Sequence, residues 1–236
     1  MRKILDAIRE DLSKGSDEAT RHSFQRFFKE PVKCYGLKNS AVGAISKKHF
    51  KAVSSWGKNA IFDLCEALFS SGFCEEAFIA SNWLPRISGR FEKGDLKIFR
   101  RWIDLYVNNW ATCDTFCNHT VGALIERYPD LVFEIKDWAL SENRWLKRAS
   151  AVSLIVPAKR GMFLKEAFEI SDLLISDPDD MVQKGYGWLL KEESRLHQRE
   201  VLDYVLKNRD RMPRIALRYA VELMPKELRS EAMKKI

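Results

Sequence analysis

Trp110 and Asp114 stand four residues apart in a stretch of helical spacing, which puts an indole beside a carboxylate on one face. Such a pair can steady a substrate that develops positive charge, the carboxylate by direct attraction and the ring through its π face. A core tryptophan flanked by a solvated or capping aspartate has the same pattern. Lys184, Trp188 and Lys191 follow at i, i+4 and i+7 as one stripe of cation, aromatic and cation, and Trp145 with Arg148 at i, i+3 repeats the theme one segment earlier. That stripe suits an anionic ligand, although lysine stems laid along a core tryptophan would also give it. Asp114, Arg148, Lys184 and Arg218 are separated by 34, 36 and 34 residues. If those intervals are structural repeats, the four side chains share a surface on which three cations make a track for phosphates and the lone carboxylate has a separate task.

Several other chemistries lack their residues. Cys113 and Cys117 share a helical face, but His119 lies about 200° around the helix from Cys117 and closes no metal site with them. His22, His49 and His197 have no cysteine or carboxylate at ligand spacing. There is no H-E-x-x-H, G-x-x-x-x-G-K-[ST] or G-x-S-x-G, and no H-x-E followed by P-C-x-x-C, which argues against zinc protease, nucleotide-binding, hydrolase and deaminase readings. No metal and no cofactor are expected.

The elements that position these residues read as helices throughout. Period-2 alternation with hairpin turns is missing, and apolar residues recur at helical spacing in almost every window. The expected helices are 2–14, 17–30, 40–55, 58–71, 74–87, 95–108, 111–128, 130–141, 144–156, 161–175, 179–192, 196–209, 213–223 and 225–235. Gly15, Gly36, Gly72, Gly94, Gly161, Pro31, Pro129, Pro178, Pro213 and Pro225 fall at or between them, where helix breakers belong. Asp177 ahead of Pro178 and Asp95 ahead of Leu96 are candidate caps. Short connections make consecutive helices antiparallel partners, and no linker divides residues 1–236. The expected fold is all-α, a single-domain curved α-solenoid of antiparallel helix pairs with HEAT-like repeats, since one pair cannot bury its apolar face alone.

The chain has 236 residues, 46% hydrophobic and 31% charged, with a net charge of +7, which is ordinary globular usage and excludes collagen-like or wholly disordered classes. The charge is uneven. Residues 1–50 carry 11 basic and 6 acidic side chains, residues 195–236 the same, and the stretch between them 18 and 21. Basic ends suit a polyanion touched along the molecule, and an unevenly charged solvated surface accounts for them equally well. The first residues, MRKILDAIREDLSKG, have no unbroken apolar run, and no stretch reaches the length of a membrane span. Five cysteines without an export signal are expected as reduced thiols, and the chain as cytoplasmic.

The segments W-A-T-C-D at 110–114, N-R-W-L-K-R-A at 143–149 and Q-K-G-Y-G-W-L-L-K-E at 183–192, with Phe27 and C-Y-G-L at 34–37, together resemble the AlkD family of DNA alkylation repair glycosylases. The resemblance implies a HEAT-like helical solenoid that grips double-stranded DNA as a monomer, in the bacterial cytoplasm or nucleoid, and hydrolyses the glycosidic bond of cationic N3- or N7-alkylated purines without a lyase step and without swinging the base into a deep pocket. It makes Asp114 the catalytic carboxylate, Trp110 and Trp188 the aromatics around the lesion's deoxyribose, Arg148 a phosphate-side arginine and Phe27 an aromatic near the duplex. Lys184, Lys191 and Arg218 join the DNA-binding set by their spacing. After Gly36 the family commonly has T-P and then an arginine, whereas this chain runs K-N-S-A-V-G-A, with Asn39 and Ser40 in place of T-P and no arginine nearby; Lys38 and Asn39 are the DNA-binding residues expected there. The alternatives are a relative that binds damaged or branched DNA without chemistry, and a protein-binding α-solenoid.

Overall fold

The computed structural model describes residues 1–234, and among them all regular structure is helical. The chain divides into two compact units, Met1–Phe116 and Cys117–Ile236. The first holds α1 (Arg2–Lys14), α2 (Glu18–Gln25), α3 (Asn39–Val53), α4 (Lys58–Phe69), α5 (Cys74–Trp83), α6 (Asp95–Tyr106) and α7 (Trp110–Phe116). The second opens with a π turn at Cys117–Val121 and continues through α8 (Gly122–Arg127), α9 (Val132–Asp137), α10 (Arg144–Val152), α11 (Ile155–Ala158), α12 (Leu164–Leu174), α13 (Asp180–Glu193), α14 (Gln198–Asn208), α15 (Arg214–Ala220) and α16 (Lys226–Met233). The last expected helix thus stops at Met233, and its residue 235 lies outside the described residues.

Within each unit alternate helices pack in a row: α5 lies against α3 and α7 in the first, and α13 against α10 and α15 in the second. This stacking of helix pairs is the class the apolar spacing implied. The expected helix 111–128 is interrupted by the π turn, and 144–156 breaks at Ser153–Leu154. The expected helix 17–30 ends at Gln25, whose side chain donates to the Glu30 carbonyl and accepts from the Val32 N–H, each at 3.0 Å, so the chain turns instead of continuing. The cap of α13 is Asp179, two residues beyond the expected Asp177, and its carboxylate accepts the N–H groups of Met181 and Val182. Asp95 is the first residue of α6, with Gly94 at the cap position, and its carboxylate takes the Glu92 N–H and the Lys58 ammonium.

The core of the first unit centres on α5, where Ile79, Ala80 and Trp83 are fully enclosed. Glu75 and Glu76 on the same helix are also buried, at 3% and 0% exposure. Glu75 accepts the backbone N–H groups of Tyr35, Gly36 and Leu37 at 3.0, 2.8 and 3.2 Å. Glu76 takes the Arg9 guanidinium at 3.1 Å and the Tyr35 hydroxyl at 2.8 Å. The C-Y-G-L segment is therefore a loop strapped to α5 by two carboxylates, and both of these buried charges have compensating donors.

In the second unit, K-G-Y-G at 184–187 has a packing explanation. Gly185 and Gly187 lie on nearly opposite sides of α13. A Cβ at Gly185 would stand 3.2 Å from Cγ of Arg148 on α10, and one at Gly187 only 2.8 Å from the Ala216 carbonyl oxygen on α15. The missing side chains let α13 sit close to both neighbours at once. All five cysteines are buried free thiols.

Glu193, near the end of α13, is fully enclosed, and neither carboxylate oxygen has a hydrogen-bond partner among the described residues. Burial, with a smaller push from Glu166, raises its carboxyl to about 8. A carboxyl raised above its unfolded value of about 4.3 contributes its full stability below that value and loses it as pH climbs through 8. Urea unfolding should therefore show stability falling between pH 5 and 9, and Glu193→Gln should flatten that fall and exceed the wild type at pH 9. Parallel profiles for the two proteins would overturn this.

Candidate nucleic-acid interface

In the first unit Asn109 sets the start of α7. It is 4% exposed, its Oδ1 accepts the Thr112 N–H at 2.9 Å, and its Nδ2 donates to Thr112 Oγ1 at 3.2 Å. This satisfies one of the orphan donors of the first turn and fixes the helix phase. Trp110 is then the first helical residue, and Asp114, 9% exposed, lies one turn on.

Trp110 is half-buried and held twice. Its Nε1 donates to the Phe27 carbonyl at 3.2 Å, and the Phe28 ring stacks on it with centroids 5.4 Å apart and planes at 21°. Phe28 leans in turn on Phe24, at 4.9 Å. Stacking occupies one face of the indole and removes most of its rotamer freedom, so the ring is rigid before any ligand arrives. Phe27 itself is 68% exposed on that turn. Lys38 and Asn39 are exposed at the start of α3, where Lys38 holds the cap position without a side-chain bond to the helix.

In the second unit the expected residues fall on the row α10, α13, α15. Arg148 is not on an open track. It is 5% exposed, and its Nη1 donates to the Met181 carbonyl, because Gly185 lets the arginine stem lie across α13. Trp145 is likewise core, at 8% exposure. Trp188 is half-buried, with its Nε1 donating to Glu192 at 3.1 Å. Burial opposes ionisation of Glu192, but the Arg195 and Trp188 hydrogen bonds and the charges of Lys159 and Arg195 outweigh it and hold the carboxyl below its ordinary value. Trp188 is thus oriented by a carboxylate that stays charged.

Lys184 pairs with Asp180 at 3.0 Å and Lys191 with Glu222 at 2.9 Å. Both acids are partly exposed, so these pairs are screened by water and exchange readily for a phosphate. Arg218 is exposed. Cys113 and Cys117 are buried while His119 is exposed, and no group of three metal-ligating side chains exists among the described residues. Nor is any helix among them long and apolar enough to cross a membrane. Sequence reasoning missed Asn109, Phe28 and Glu192. Asn109 carried a signal as a capping type three residues before Thr112, and Glu192 as the i+4 neighbour of Trp188. Phe28 carried none, since 82 residues separate it from the ring it braces.

Among known proteins, the pattern of a family described as DNA alkylation repair enzyme matches residues 8–224. A solved structure titled "Predicted DNA alkylation repair enzyme from Enterococcus faecalis" superposes with a TM-score of 0.80 at 16% identity, over 89% of this chain and 97% of that one, which shows the shared fold. A comparison with curated proteins finds no significant match.

Proposed function

Because the chain belongs to the DNA alkylation repair enzyme family, we propose that it is a monofunctional DNA glycosylase that hydrolyses the N-glycosidic bond of cationic N3- or N7-alkylated purines in duplex DNA. The observation that carries the reading is Asp114, an enclosed acid one helical turn from the braced indole of Trp110.

A purine alkylated at N3 or N7 already bears a positive charge, so its leaving requires no protonation. As the bond from C1′ to nitrogen breaks, its electron pair goes to the base and neutralises it, and positive character moves to the sugar. A carboxylate stabilises that charge and accepts the proton of the attacking water, whose oxygen forms the new bond to C1′. An indole face against the sugar adds cation–π attraction of about 0.5–2 kcal/mol and excludes bulk water. Phosphates would be held by Lys184, Lys191 and Arg218, with Lys38 and Asn39 in the N-terminal grip, contacts that supply affinity without reading sequence. Arg148, already bonded to the Met181 carbonyl, would add charge from beneath that surface. No lysine is assigned to attack C1′, so a lyase step is not part of the proposal.

The test is incubation with duplex DNA carrying N7-methylguanine, with the released base quantified. Release is expected there and not from a uracil duplex, whose neutral base needs an acid to leave. Tight binding of the alkylated duplex with no release would identify a DNA-binding relative instead.

Trp188→Ala separates a ligand face from a core position. If the ring contacts the sugar, base release should drop at least tenfold, with duplex affinity and the thermal midpoint nearly unchanged. A fall of about 3–5 kcal/mol in stability with a parallel loss of binding would make it a core residue.

A further inference from the structure

A cavity of about 640 Å³ lies at the C-terminal end of the second unit, lined from α13, α15 and α16. Lys184, Arg218, Lys226 and Arg229 border it against one acid, Glu222, which is already paired with Lys191 at 2.9 Å. Lys184 has Asp180. Among the described residues, the side chains of Arg218, Lys226 and Arg229 make no hydrogen bond or ion pair. Three uncompensated cations around one hollow repel each other, and an anion placed between them relieves that repulsion while gaining charge-assisted hydrogen bonds. The Ser230 hydroxyl adds a donor, and Tyr219 with Ile215 gives the hollow an aromatic and aliphatic wall. A ligand that joins a multiply charged oxyanion to a flat, weakly polar body satisfies both halves of this lining.

We propose that this cavity binds a nucleotide phosphomonoester, with its phosphate among Arg218, Lys226 and Arg229 and its nucleoside against Tyr219 and the aliphatic wall. A phosphomonoester carries between one and two negative charges and three terminal oxygens at neutral pH, whereas an internal phosphodiester carries one charge and two. Two sources present this chemistry, the phosphorylated end of a DNA strand and a free nucleotide. Only the first rests on the proposed DNA function.

Fluorescence anisotropy with a labelled duplex bearing a recessed 5′-phosphate, beside the same duplex with a 5′-hydroxyl, tests the first source. Calorimetry with deoxyadenosine 5′-monophosphate tests the second. The wild type should bind the phosphorylated end about tenfold more tightly than the hydroxyl end. The double variant Lys226→Ala/Arg229→Ala should abolish that difference, leave binding of the hydroxyl duplex within about twofold, and release base at the wild-type rate; Lys226→Arg/Arg229→Lys should restore the preference. Binding of the monophosphate that is lost in the Ala variant supports the cavity with the free nucleotide as its source. Equal affinity for the two ends together with no calorimetric signal overturns the proposal. So does an equal loss on both duplexes in the Ala variant, which would make the cluster an ordinary backbone contact. A protein that releases no base but still prefers the phosphorylated end would refute the glycosylase and leave the cavity assignment standing.

Discussion

Asp114→Asn is expected to reduce release of N7-methylguanine by at least about 100- to 1,000-fold, the usual cost of deleting a group that stabilises charge only in the transition state. Asparagine keeps the shape and loses the charge, so α7 and its Asn109 cap should survive, and a thermal melt within a few degrees of the wild type would verify that. Affinity for undamaged duplex should be unchanged or slightly higher if the proposed cleft meets phosphates, because the substitution removes an anion from it. The combination is diagnostic. A structural aspartate would lose stability and binding together, a catalytic one rate alone, and near-wild-type release by a folded variant would refute the assignment.

The second large effect concerns folding. Gly36 has φ +92°, and a Cβ there would stand 2.4 Å from the Asp17 carbonyl oxygen and 2.8 Å from the Arg21 Cβ. Gly36→Ala must both hold an unfavourable backbone angle and push the loop off α2, together costing more than about 3 kcal/mol. Glu75→Gln attacks the same loop from the other side. An amide in place of the carboxylate keeps the oxygen that accepts from the Gly36 and Leu37 N–H groups but turns an N–H donor toward the Tyr35 N–H and removes the charge, so a loss of about 2–4 kcal/mol is expected. Chemical denaturation of the two variants checks this, and a shift under 1 kcal/mol for Gly36→Ala would mean that the loop relaxes freely.

These two sites mark where sequence reasoning succeeds and where it stops. The positions of most helices follow from apolar spacing and breakers because both act locally, as with Leu5, Ile8 and Leu12, which line the buried face of α1. The pairing of Trp110 with Asp114 is equally local, a matter of one helical turn. Glu75 and Glu76 look instead like ordinary acids in the first turn of a surface helix, since their partners lie 38 to 67 residues away. The burial of Arg148 could not be read for a related reason: its spacing with Lys184 is periodic, but its enclosure arises from the glycine facing it on another helix. The π turn at 117–121 leaves no mark in composition, because one surplus residue in a helical ladder changes hydrogen bonding without changing which residue types are compatible.

The buried thiols bear on how such a protein endures its own working conditions. Reagents that methylate purines also attack sulfur, and they react with the thiolate. Burial pushes the thiols of Cys34, Cys65 and Cys74 upward, with Glu75 adding to the effect at Cys34 and Cys74. Cys113 and Cys117 are fully enclosed. With its softest nucleophiles shielded and, for these three, held protonated, the folded protein presents a poor target to the electrophiles whose lesions its family repairs, and it gains that resistance from the same apolar packing that forms its core.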